Sequence, residues 1–71
     1  MDDFDSRLGR LMQRLSEEFD RLKLDLDDAG AAARAMDAYI DGILPEYRLD
    51  GSLSKVLRDA KGKYRDFARR A

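Results

Sequence analysis

Apolar residues recur along the first third of the chain at Phe4, Leu8, Leu11, Met12, Leu15, Phe19, Leu22 and Leu26. Steps of three and four residues place them on one face of an α-helix. The stripe drifts by one heptad position between Leu8 and Leu26. A nearly straight helix of about 3.6 residues per turn accounts for that drift better than a coiled coil of strict 3.5-residue period. The pattern predicts a first helix over about residues 3–26, about 35 Å long. Asp2, Asp3 and Asp5 suit its N-terminal end, by capping and by the macrodipole. Glu17 and Arg21 form an expected favourable i,i+4 pair, Arg10 and Arg14 an unfavourable one. Gly9 weakens the helix interior by about 1 kcal/mol relative to alanine.

The run Asp27-Asp28-Ala29-Gly30 predicts a break and a fresh start, with Asp27 or Asp28 as N-cap. A second helix follows over about residues 29–43. Ala32, Met36, Tyr39, Ile40 and Ile43 form its large-residue face, and Ala31, Ala35, Ala38 and Gly42 an adjoining small-residue face. Only Arg34, Asp37 and Asp41 mark a narrow polar edge. A helix apolar around most of its circumference is buried on more than one side. It is therefore expected in the middle of the packing, with the small face open to a close neighbour from this chain or a second copy.

Pro45 ends the second helix, because the residue before proline is pushed out of the α region. Residues 45–51 read as the one loop, and Asp50 or Ser52 as the cap of a third helix over about residues 52–69. The apolar face there is Leu53, Val56, Leu57, Ala60, Tyr64, Phe67 and Ala68. Short connections between three helices predict an all-α fold: one domain, a small up-down-up three-helix bundle. Its 71 residues fall where a single core is marginal, so homodimerisation is an expected way of completing it.

Composition narrows the function classes. Hydrophobic residues make up 44% and charged residues 41%, too apolar and too regularly spaced for a disordered chain. No apolar run approaches the roughly 18 residues of a membrane span. The acidic start, Met1 to Asp5, is unlike a signal or transit peptide, and a cytoplasmic location is expected. With no cysteine, a disulfide scaffold and a thiolate zinc site are excluded.

Histidine is absent too, so the commonest general base, nucleophile and transition-metal ligands are all missing. Ser6, Ser16, Ser52 and Ser54 lie in no nucleophile elbow. Asp25-Leu26-Asp27-Asp28-Ala29-Gly30 opens like a calcium loop, but Ala29 takes the fifth position and Met36 the twelfth, where oxygen donors are required. A helix end followed by an N-cap is the better reading. The glycines are scattered singly, which rules out a phosphate-cradling loop. Neither an enzyme nor a cofactor is expected.

The net charge of −1 hides a polarised chain. Residues 1–28 carry nine acidic and five basic side chains, whereas residues 52–71 carry seven basic and two acidic. Arg58, Lys61, Arg65 and Arg69 recur at i, i+3, i+7 and i+11 on the third helix, a basic stripe beside its apolar face. Cations near a helix C-terminus favour the macrodipole, and the plainest reading is that the stripe faces solvent or the acidic first helix. An acidic protein partner or a nucleic-acid backbone are the functional readings. Tyr39 and Tyr64 read as core residues whose hydroxyls reach the surface. Tyr47 and Leu49, in the loop, read equally as a cap on the bundle end or as an exposed interface anchor.

These features predict a non-enzymatic binding or regulatory protein, an adaptor or inhibitor that presents helical surface to a protein partner. The expected self-association surface is Ala31, Ala35, Ala38 and Gly42, and the expected partner surface is the basic stripe. The alternative is nucleic-acid binding through the third helix.

Overall fold

Helix α1 spans Asp3–Leu26, α2 spans Ala29–Ile43 and α3 spans Gly51–Arg70, with a turn of 3-10 helix at Leu44–Tyr47 between the last two. The computed structural model describes residues 3–70, so Asp2 at the start of the first helix lies outside the described residues.

Local chemistry sets each boundary. Asp27 turns the chain out of α1 through the left-handed region, at φ 51°. Asp28 is extended, and its Oδ1 accepts from the Gly30 and Ala31 N–H groups at 2.9 and 3.3 Å. It is thus the N-cap of α2, satisfying two donors that the helix cannot pair internally. Asp50 caps α3 with a single such bond, accepting from the Leu53 N–H at 3.2 Å. The predicted loop 45–51 is more ordered than expected. Leu44, before the proline, keeps helical angles of φ −52° and ψ −41° rather than leaving the α region. Leu44–Tyr47 closes into a 3-10 turn with Pro45 at its start, where the missing N–H is no loss. One expected pair is exchanged: Arg21 bridges Glu18 and Asp25 on neighbouring turns, while Glu17 accepts from Gln13 instead.

The core is Leu11 and Leu15 of α1, Met36, Ile40 and Ile43 of α2, and Leu53 and Leu57 of α3. Full burial of such a side chain stabilises the fold by about 1.5–3 kcal/mol. Ala32 and Ala33 are completely buried as well, and Ala33 belonged to neither predicted face of the second helix. Ser54 is the one buried polar side chain among the described residues, and its hydroxyl donates to the Tyr47 carbonyl at 2.6 Å.

Cross-helix contacts fix the direction of travel. Arg7 of α1 meets Asp50 before α3, Arg14 meets Glu46 in the 3-10 turn, and Phe19 meets Tyr64 further along. Helices α1 and α3 therefore run parallel, with α2 antiparallel to both: an up-down-up three-helix bundle. Both outer helices pack on α2 and scarcely on one another. The bundle is elongated, 39 × 18 × 18 Å, and its α1–α3 side stands open. Among the described residues, no helix is long and apolar enough to cross a membrane.

Candidate interaction groove between the outer helices

The open side is a groove of about 560 Å³. Helix α1 supplies Met12, Leu15 and Phe19 to one bank; α3 supplies Val56, Ala60, Tyr64 and Phe67 to the other. These are the apolar stripes of the two helices, each wider than α2 alone can cover. The inner edge of each stripe reaches the core, as Leu15 does at 2% exposure. The outer edge does not: Met12 is 49% exposed and Phe67 47%. The Phe19 and Tyr64 rings meet at 5.2 Å between centroids, tilted by 53°, and form the floor toward the far end. Burial, and then the nearby Asp20 carboxylate, push the Tyr64 phenol above its ordinary value, so it stays neutral.

Few polar groups border this surface. Ser16 is on the α1 bank, and Asp59 and Lys63 are one turn apart on the α3 bank. Neither of those two charges makes an ion pair among the described residues. Lys23 lies above Phe19, with Nζ 4.9 Å from the ring centroid, and bridges Asp20 at 3.6 Å. No group of three or more acidic side chains among the described residues is placed to hold a metal ion. An apolar trough between parallel helices, with charge only at its edges, has the form of surface that receives an amphipathic helix.

The residues singled out from the sequence lie elsewhere. Ala31 and Ala35 are half-buried, while Ala38 and Gly42 are exposed, on the side of α2 turned away from the core. The basic stripe is largely engaged within the chain. Lys61 bridges Asp37 and, at 3.4 Å, Asp41; Arg65 reaches Asp37 at 3.3 Å; Arg69 reaches Asp66 at 2.7 Å. The Lys61 ammonium beside it, and then the Arg65 guanidinium that donates to its Oδ2, hold the Asp37 carboxyl below the usual carboxylate range. Arg58 is exposed and borders a shallower cleft with Arg48 and Asp41.

Tyr47 and Leu49 part company. Tyr47 packs on the core, and its hydroxyl accepts a long 3.4 Å bond from Arg14, whereas Leu49 is 96% exposed. Arg14 is the tie at this end of the bundle. Its Nε donates to the Tyr39 hydroxyl at 2.8 Å, and its Nη1 meets Glu46 at 3.0 Å. Glu46 first, then Tyr39, raise the guanidinium above its ordinary value, and Arg14 in return lowers Glu46.

The groove was hidden in the sequence because each bank alone reads as an ordinary core stripe. The available signal was quantitative: α1 and α3 carry more large apolar residues than one 15-residue helix between them can cover. No protein family matches the chain, and no curated protein or solved structure is significantly similar to it.

Proposed function

We propose that this chain is a non-enzymatic helical interaction module that acts through protein–protein contacts, with the α1–α3 groove as its docking surface. The observation that supports this is the half-exposure of Met12 and Phe67 on facing banks of one apolar trough. Large apolar side chains arranged this way on a small domain favour a covering partner. The absence of histidine and cysteine from the sequence agrees with a binding role rather than catalysis.

Nucleic-acid binding through α3 has weaker support. Lys61 and Arg65 already pair with Asp37, so a phosphate there would compete with a carboxylate partner.

Selection from a displayed library of helical peptides tests the reading. Enriched sequences should carry apolar residues at i, i+3, i+4 and i+7, and should lose binding when Met12→Glu or Phe67→Glu is introduced. Failure to enrich any helix, or enrichment indifferent to both substitutions, would count against the groove.

A further inference from the structure

We infer that Met12 is an oxidation site that regulates the groove: a peroxide converts its thioether to the sulfoxide, which weakens docking and spares the fold. The inference rests on the docking role proposed above and adds its regulation.

Sulfur in this chain belongs to methionine alone. No cysteine is present, so no thiolate competes for the oxidant, and the thioethers are those of Met1, Met12 and Met36. Met1 lies outside the described residues. The other two stand at opposite extremes. Met36 is 0% exposed and belongs to the core that joins the three helices. Met12 is 49% exposed, stands outside that core and lines the α1 bank of the trough. Peroxide must reach the sulfur to react with it. It meets Met12 from solvent, and meets Met36 only when the bundle opens. The reactive thioether and the structurally essential one are therefore different residues, so oxidation can alter the groove without melting the bundle.

The Met12 sulfur lone pair attacks one peroxide oxygen, and an S–O bond forms as the O–O bond breaks. The departing oxygen takes the proton of the transferred one and leaves as water, or as an alcohol from an alkyl peroxide. Sulfur is oxidised by two electrons and the peroxide is reduced by them. The product sets a strongly polar S–O group among Leu15, Phe19, Val56 and Phe67. While the groove is open, that oxygen keeps its water. An apolar helix face laid over it strips the water away and offers no donor in exchange. The penalty thus falls on the docked state and not on the free fold. Sulfoxide reductases act on this product, so the change is reversible.

Peroxide treatment of the full chain, read by peptide mass spectrometry and helical circular dichroism, tests the site. Met12 should oxidise about tenfold or more faster than Met36, with the helical signal retained. A methionine-free helical peptide selected on the groove, present at saturation, should slow Met12 oxidation. Once the peroxide is removed, the same peptide should bind the Met12 sulfoxide about tenfold or more weakly than the untreated chain. Met12→Leu, whatever its own affinity, should bind equally before and after treatment, which separates Met12 from Met1 and Met36.

Equal oxidation rates at Met12 and Met36, or loss of helix when Met12 alone is oxidised, overturn the inference. So does an affinity unchanged by the sulfoxide, or a loss of affinity that treated Met12→Leu shares. In each case, groove-dependent peptides still bound by the untreated chain leave the docking surface standing. A library that yields no groove-dependent helix removes the docking surface and its regulation together.

Discussion

Asp37 is where the polarity of the chain is settled residue by residue. On the α2 wheel it reads as part of a narrow polar edge; in the fold it gathers Lys61 and Arg65 from α3. That pairing was not legible, because it depends on how α2 and α3 are rotated against each other rather than on spacing within either helix. It carries a pH signature. The folded carboxyl titrates below its ordinary value near 3.8, so its contribution is present above that value and is lost as pH falls through the folded pKa. Asp37→Asn should lower stability at neutral pH by about 0.5–1 kcal/mol, after solvent screening of this partly exposed group. Urea midpoints of the two proteins should converge as acid protonates Asp37, and a constant offset down to about pH 2 would contradict this.

At the scale of elements the sequence was far more transparent. Caps and breaks depend on a few consecutive residues, so Asp27-Asp28 and Pro45 disclosed where α1 and α2 end and α2 begins to within a residue or so. The two adjacent aspartates nevertheless do opposite things. Asp28 closes two backbone N–H groups with its side chain, so Asp28→Ala should cost about 1 kcal/mol. Asp27 sits at φ 51°, which a side chain disfavours, so Asp27→Gly should stabilise by about 0.5 kcal/mol. Paired denaturation curves with shifts of the same sign would refute this division. Ala33 was missed for a related reason: alanine has too little apolar surface to mark a face, and only the approach of its neighbours buries it.

For the molecule as a whole, periodicity reveals which side of each helix is apolar but not how much of that side a neighbour covers. The stripes of α1 and α3 were legible, and the uncovered width that makes the groove was not. Core and groove should therefore respond differently to truncation in thermal unfolding. Leu57→Ala, at a fully buried site, should cost about 2–5 kcal/mol, while Phe67→Ala should cost about 1 kcal/mol or less. Equal losses would mean that Phe67 belongs to the core. The arrangement of two outer helices on one central helix has a further consequence, for the speed of folding. Nearly all packing joins segments adjacent along the chain, α1 with α2 and α2 with α3. Only short connections must close before contacts begin to form, and chains of such low contact order reach the native state in microseconds to milliseconds. Either helical hairpin can nucleate the other, so two routes lead to the same bundle, and both assemble α2 before the groove exists.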